Sequence, residues 1–511
     1  MYPGTHARTQ PDKTAIIQPS TGRSVTYRQL NERSNRLAHY LRSQGLQPGD
    51  HVAVFLENHV VMFDLLWACL RSGLYFTPIN RHLSANEAAY IVDDCDALAL
   101  FGSAALAQSE ALGQLAQRAR IKLAIGGSIP GYDDYETAVA DQPTHEIADE
   151  RLGTLMLYSS GTTGKPKGVL RALPTQKPVE GNPAAQAFSK MFEMDGQTVY
   201  LSPAPLYHSA PLGSANAVIQ CGGTIIMMDK FAAEEALSLI DQFKFTHSQW
   251  VPTMFIRMLK LPADVKAKYD VSSMRYAVHA SAPCPQAVKR QMIEWWGPVL
   301  WEYYSSTEAA GITLIGSEEW LDHPGSVGRP RGTIFHICDE SGTELPPGEA
   351  GLIYGEAPQN RGFKYHKDEG KSREATHPVH SNWFTVGDVG YLDAAGYLYL
   401  TDRKAFMIIS GGVNIYPQQI EDALALHPKL NDVAVIGVPN PDLGEEAKAI
   451  VELAPDTSPS EELKDELKAF VTAKLGKQLT PRSIDFVDVL PRMPTGKLNK
   501  KLLQAKYWPA A

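Results

Sequence analysis

The sequence predicts an α/β protein. It reads as a large multi-layer N-terminal domain with parallel sheets and a small β subdomain, followed by a smaller α+β C-terminal domain. Three observations predict this. Helix and strand signals alternate through the first 150 residues or so. Glycines and short β runs crowd the stretch from His323 to Asp402. The last 110 or so residues carry strand and helix signals of their own, as a self-contained unit would.

The elements follow in order. Leu30, Leu37, Ala38 and Leu41 recur at helical spacing, with Thr26 placed to cap the helix and Gly45 to end it. Val52 to Leu56 is an apolar run of strand length. Val60 to Arg71 reads as a second helix, stopped by Gly73. Arg171 to Pro183 is rich in proline and polar residues and reads as a surface loop. Farther on, DESG (339–342) and DAAG (393–396) read as turns between short strands. Val433–Val438 and Lys448–Leu453 are strands, and Pro455–Pro459 is a loop. Ser460 caps an amphipathic helix bearing Leu463, Leu467, Phe470, Val471 and Lys474.

Composition narrows the function. A chain of 511 residues exceeds one ordinary domain, and at roughly 150 residues each it holds about three structural units. Hydrophobic residues at 44% and charged residues at 21% fit a globular protein with a large core. A net charge of −9 argues against a general nucleic-acid binder. The five cysteines, Cys69, Cys95, Cys221, Cys284 and Cys338, form no CxxC pair and are odd in number, against a zinc ribbon or a disulfide framework. The N-terminus lacks a signal-peptide core. The run MFDLLWACL is interrupted by Asp64, and no apolar run reaches membrane-span length. The expectation is a soluble, cytoplasmic protein, a monomer or homodimer, without an integral membrane segment; peripheral association is compatible with it.

The most informative stretch is Tyr158 to Val169, YSSGTTGKPKGV. A strand runs into three glycines, four hydroxyl residues and two lysines. Glycines let consecutive N–H groups turn toward one point, hydroxyls add donors, and Lys165 and Lys167 add charge, a composition that suits a polyphosphate. It is not a Walker A loop. The spacing from Gly161 to Gly164 and Lys165 is two residues short, and Pro166 follows where Ser or Thr would hold magnesium.

This loop closely resembles the signature of the adenylate-forming superfamily, which includes acyl- and aryl-CoA synthetases, luciferases and nonribosomal adenylation domains. Other stretches resemble its further motifs in the same order: Tyr303-Tyr304-Ser305-Ser306-Thr307-Glu308, Gly325 to Pro330, Thr385-Val386-Gly387-Asp388, Asp402-Arg403-Lys404, Ser410 to Pro417 and Pro494-Thr495-Gly496-Lys497. Thr385 to Asp388 has one position more than the commonest form. Together they span nearly the whole chain.

The resemblance implies a two-step reaction: a carboxylate attacks the α-phosphate of MgATP to give acyl-AMP and pyrophosphate, and a thiol, usually coenzyme A, then displaces AMP. It also implies roles. Ser159, Ser160, Gly161, Thr162, Thr163, Gly164, Lys165 and Lys167 would hold the β- and γ-phosphates. Glu308 would hold Mg2+, which prefers carboxylate and phosphate oxygens. Thr307 would bond a phosphate oxygen, and Lys497 would stand between the carboxylate and the α-phosphate. Ala280, Ser281, Ala282 and Pro283 would let adenine lie against backbone, with Tyr304 on its other face. Asp388 would accept bonds from both ribose hydroxyls, supported by Arg403. Ser410, Gly411 and Gly412 would line the pantetheine route, and His208 would border the acid. The resemblance further implies domains at 1–402 and 403–511. The second would be mobile about a hinge near 403–405, with Lys404 or Ala405 as pivot.

Read alone, several of these residues have plainer roles. Glu308 suits a helix N-terminus, Asp388 a turn and Lys497 a solvated run. His208 alone reads as a packed histidine, Cys284 as structural, and the pair His377 and His380 lacks further metal ligands.

The stretch Pro205-Leu206-Tyr207-His208-Ser209-Ala210-Pro211 holds no carboxylate to pair with an amino-acid ammonium, and no carrier domain follows Lys497. The sequence therefore predicts an ATP-dependent acyl-CoA ligase. The alternatives are an adenylating enzyme that loads a carrier protein and a luciferase-like oxygenase. The expected acid pocket, near 207–215, 247–255 and 303–312, offers Ala210, Leu212, Trp250, Val251, Phe255, Ala309, Ala310 and Ile312. Such a lining fits a hydrophobic monocarboxylic acid: fatty, aryl-alkanoic or steroid side chain.

Overall fold

The computed structural model describes residues 2–159, 166–308, 310–357, 362–403, 406–411, 413–492 and 498–508. They fall into two compact units. One comprises residues 1–249, 269–276 and 363–373, the other residues 250–268, 277–362 and 374–511. Lys404 and Ala405, the expected pivots, lie outside the described residues.

In the first unit a six-stranded sheet runs in the order Asp133–Asp134, Ile121–Ile125, Ala97–Ser103, His51–Phe55, Tyr75–Pro78, Thr154–Leu155. Every neighbouring pair is parallel. This is the arrangement that alternating strands and helices dictate. The helix Tyr27–Ser43 begins where the sequence predicts: Thr26 accepts from the Gln29 N–H and Gln29 answers to the Thr26 N–H, a reciprocal cap. The helix Val61–Arg71 is buried on all sides. Its Asp64, the charge that interrupts the apolar run, meets Arg33 Nε at 2.8 Å. A second run of paired strands holds Val199–Ser202, Thr224–Met227, Thr14–Gln18 and Arg23–Thr26 in that order. A third, antiparallel, holds Leu157–Ser159, Lys167–Leu170 and Lys364–Tyr365. The loop expected from Arg171 to Pro183 contains one 3-10 turn, Pro178–Glu180.

In the second unit the strand Tyr276–His279 pairs in parallel with Leu300–Tyr304, setting Ala277, Val278 and His279 opposite Leu300, Trp301 and Glu302. From there the sheet turns antiparallel through Thr313–Gly316, Ser326–Pro330, Leu398–Arg403, Asp388–Leu392, Gly351–Glu356 and Ile334–Cys338. This is the β-rich subdomain. Its DESG and DAAG turns close through Gly342 N–H to Asp339 O and Gly396 N–H to Asp393 O.

The C-terminal part of this unit is α+β. The strands Leu430–Asn440 and Gly444–Leu453 form a long hairpin, joined in parallel by Ser483–Val487. Ser460 caps the helix Glu461–Leu475, and Leu463, Leu467 and Val471 pack it onto Ile420, Val433, Val435 and Val451.

All five cysteines are free. Burial pushes every thiol above its ordinary value: Cys95 to about 12, Cys338 to about 11, and Cys69, Cys221 and Cys284 upward too. For Cys284 this displacement weakens the thiol as a nucleophile. His377 is also explained by backbone contacts: Nδ1 accepts from the Val379 and His380 N–H groups, which leaves Nε2 to donate to Gly342 O.

Two glycines set close approaches in the subdomain. Gly328, within the GSVGRP turn, has φ +98°, and a Cβ there would lie 2.2 Å from the Leu314 carbonyl oxygen. At Gly355 a Cβ would lie 1.4 Å from the Ala310 oxygen. That carbonyl follows directly on the Thr307-Glu308 motif, so Gly355 lets the strand Gly351–Glu356 back onto the segment carrying it. Gly355→Ala should therefore cost at least about 1–3 kcal/mol of stability and displace that segment. A melting temperature unchanged in calorimetry would contradict this.

Candidate nucleotide and acid site

In the first unit Ser159 ends one strand and Lys167 begins the next, and the two are paired in register. The ends of the expected phosphate loop are thus pinned together by antiparallel pairing. Ser160, Gly161, Thr162, Thr163, Gly164 and Lys165 lie outside the described residues. Just before the loop, the Tyr158 hydroxyl donates to Asp94 Oδ2 at 2.5 Å. After it, Gly168 O accepts from the His366 N–H at 2.8 Å, and the Lys167 ammonium stands 5.0 Å from the Tyr365 ring centroid. His208 is the residue before the helix Ser209–Cys221, and its ring lies 4.2 Å from that of Tyr207. The buried Tyr207 hydroxyl has no hydrogen-bond partner among the described residues, and burial raises its pKa.

In the second unit the strand Leu300–Tyr304 delivers Tyr304, then Thr307 and Glu308. Glu308 is 8% exposed. The Tyr304 hydroxyl donates to Asp388 Oδ2 at 2.8 Å, joining the residue expected on adenine to the one expected on ribose. Asp388 stands opposite Arg403 in its strand pair; the Arg403 side chain lies outside the described residues. Between Tyr304 and Glu308, Ser305 Oγ donates to Gly311 O, whereas the buried Ser306 Oγ has no partner among the described residues. An orphaned hydroxyl beside a nearly buried carboxylate fits a segment that meets a polar ligand.

Ala280, Ser281, Ala282 and Pro283 connect the strand Tyr276–His279 to the helix Gln286–Trp296. Ser281 has φ +76°, a left-handed conformation costly for a residue with a Cβ. Ser410 and Val413 are paired across a two-residue turn. Gly411 takes φ +57° there and donates to Leu443 O at 2.8 Å. Gly412 lies outside the described residues.

Lys497 also lies outside them. The chain on either side of its segment is tied down, with Arg492 and Leu498 bridged antiparallel. Arg492 Nη2 donates to Asp432 Oδ1 at 2.7 Å, and Lys500 meets Glu421 at 2.8 Å. Of the expected acid lining, Trp250 and Phe255 pack with Trp296 in one aromatic cluster of the second unit, and Leu212 is fully buried in the first.

Sequence reasoning missed a buried charged pair on the helix and strand that follow the Ala280–Pro283 segment. Lys289 Nζ lies 2.6 Å from Glu302 Oε2, with the two side chains 0% and 7% exposed. His279 Nε2 is 3.7 Å from the same oxygen. Burial, then the Lys289 charge, holds the His279 pKa well below its ordinary value, so the ring is neutral. Burial raises the Glu302 carboxyl, opposed by Lys289. A signal was available: Lys289 shares an apolar helical stripe with Met292, Ile293 and Trp296.

Comparisons with known proteins bear on the family and the fold. The family model described as AMP-binding enzyme matches residues 4–360, and the one described as AMP-binding enzyme C-terminal domain matches residues 419–497. The chain is 31% identical over 512 residues to a feruloyl-CoA synthase of an Amycolatopsis species, covering 99% of this chain and 98% of that one. It is 31% identical over 507 residues to a long-chain-fatty-acid–CoA ligase of Mycobacterium tuberculosis H37Rv, covering 98% and 97%. The solved anthranilate CoA ligase AuaEII, in complex with anthranoyl-AMP, superimposes with a TM-score of 0.85 at 26% identity, covering 99% of this chain and 96% of that one. The family match and the fold define an adenylate-forming enzyme. The chain belongs to the AMP-binding enzyme family. Among the described residues no helix is long and apolar enough to cross a membrane.

A hydrogen bond to a charged acceptor contributes about 1.5–3 kcal/mol. Tyr304→Phe keeps the ring but frees Asp388 from it, so AMP should bind roughly tenfold more weakly, with the melting temperature shifted only slightly. Titration calorimetry and a thermal melt check this; undiminished affinity would take the Tyr304–Asp388 contact out of nucleotide binding.

Proposed function

We propose that the protein activates a hydrophobic monocarboxylic acid with MgATP and passes the acyl group to coenzyme A. In the first step a carboxylate oxygen bonds to the α-phosphorus while the bond to the bridging oxygen of the β-phosphate breaks, releasing pyrophosphate. In the second, the CoA thiolate attacks the acyl carbon and AMP leaves. Such steps need charge neutralisation and alignment more than covalent help. Glu308 would hold Mg2+, whose charge neutralises the phosphates, and Thr307 would bond a phosphate oxygen. Lys497 would stabilise charge near the α-phosphate. Asp388, oriented by Tyr304, would hold the ribose, and Ser410 and Gly411 would border the arm of CoA.

The observation that supports this reading most is the Tyr304–Asp388 hydrogen bond beside the nearly buried Glu308. The acid's apolar character follows from the expected lining, of which Trp250 and Phe255 in the second unit bring no charge. The reading includes a division near 402/403, with residues 403–511 turning between the two steps. In one orientation they would offer Lys497, in the other the Ser410–Gly411 turn.

A panel of fatty, aryl-alkanoic and steroid side-chain acids, assayed for AMP release with ATP, Mg2+ and CoA, tests the proposal. AMP release should require all four components. If no acid gives CoA-dependent AMP release, the reading fails. With an accepted acid, Lys497→Ala should reduce acyl-AMP formation by at least a hundredfold but spare thioester formation from supplied acyl-AMP. An equal fall in both half-reactions would remove Lys497 from the first step.

A further inference from the structure

The Lys289–Glu302 pair calls for an explanation beyond packing. Both side chains are removed from water, and the desolvation cost of such a pair commonly cancels its attraction, so well-packed apolar residues would serve stability as well or better. The surroundings are apolar enough to supply them: Phe255 packs edge-on against His279 and clusters with Trp250 and Trp296, and the Lys289 ammonium stands 4.8 Å from the Trp320 ring centroid.

What the pair does that apolar residues cannot is fix a register. The 2.6 Å contact holds only while Lys289 and Glu302 face each other, so it favours one register of helix on strand. Lys289 is one turn into the helix Gln286–Trp296, and Ala280–Pro285 is the six-residue connection that leads into that helix. Glu302 lies two residues before Tyr304 on the strand that delivers Thr307 and Glu308. His279, the residue before the connection, stands opposite Glu302 in the parallel pair and faces the same carboxylate oxygen. Within the connection Ser281 is held at φ +76°, a conformation that persists only where its surroundings enforce it.

We propose that the buried Lys289–Glu302 ion pair is a positioning element for the adenine nucleotide. It locks the helix Gln286–Trp296 to the strand Leu300–Tyr304, so that Ala280–Pro283 and Tyr304–Glu308 stand at a fixed separation. The inference rests on the reading of these two segments as nucleotide-binding walls. Lys289 and Glu302 act through the segments they hold and touch no substrate themselves.

The test uses the full chain and direct binding, so it needs no knowledge of the acid. ATP and AMP dissociation constants are measured by titration calorimetry, beside thermal melts, for the parent, for Glu302→Gln and for the double variant Lys289→Met with Glu302→Leu. The double variant should melt at or above the parental temperature, yet bind AMP and ATP at least tenfold more weakly. Glu302→Gln, which keeps a hydrogen bond but not the charge, should weaken both about threefold or more. A folded double variant that binds within twofold of the parent overturns the proposal. Should the double variant not fold, Glu302→Gln decides alone: parental affinity within twofold overturns it. A parent that binds neither nucleotide overturns the underlying reading instead, and the proposal with it.

Discussion

The second unit depends on one pairing: the parallel register of Tyr276–His279 with Leu300–Tyr304. Two parallel neighbours release their chains at the same edge of a sheet. The connection Ala280–Pro283 and the run Tyr304–Glu308 therefore emerge side by side, and neither needs a long excursion to reach the other. Ligands gather at such edges in α/β folds for this reason: backbone N–H and C=O groups are left unpaired there, and loops may vary without disturbing the sheet. The switch to antiparallel pairing at Thr313–Gly316 then brings the chain back. Asp388 arrives from a strand far along the sequence, within hydrogen-bond reach of Tyr304.

Close backbone approach recurs as the means of holding these segments. Gly355 leaves room for the Ala310 carbonyl, and Gly328 for that of Leu314. In the C-terminal part the same economy appears at the Ser410–Val413 turn, anchored by Gly411 to Leu443. At Ser159/Lys167 and at Ser410/Val413 the chain is pinned at both ends of a turn by backbone pairing. Side-chain position is then inherited from the sheet.

Much of this was legible in the residues. Thr26 and Ser460 announced their helices because a hydroxyl oxygen is what the unpaired N–H groups of a first turn require. The turns at Asp339 and Asp393 were legible because aspartate and glycine there have local reasons to turn. The motif residues Tyr304, Glu308 and Asp388 were legible only through their resemblance to the family's motifs; read alone, Glu308 suits a helix start and Asp388 a turn. The Lys289–Glu302 pair was not, and neither was the orphaned Ser306 hydroxyl. A lysine thirteen residues from its glutamate has no local signature. Its burial is decided by which face of a helix meets the sheet, and periodicity treats one charge in an apolar stripe as an interruption. Gly355 was equally silent, since the atom that demands it, the Ala310 oxygen, is distant in sequence.

The five raised thiols bear on a hazard specific to acyl transfer. A mixed anhydride of a carboxylic acid and AMP acylates any thiolate it meets, and the reaction proposed here depends on one thiol, supplied from outside, winning that competition. With Cys95 at about 12, Cys338 at about 11 and the other three displaced upward by burial, the chain keeps its own sulfurs as thiols at neutral pH. Self-acylation would consume the activated acid and modify the core in one event. The same burial that displaces these thiols upward keeps them poor nucleophiles.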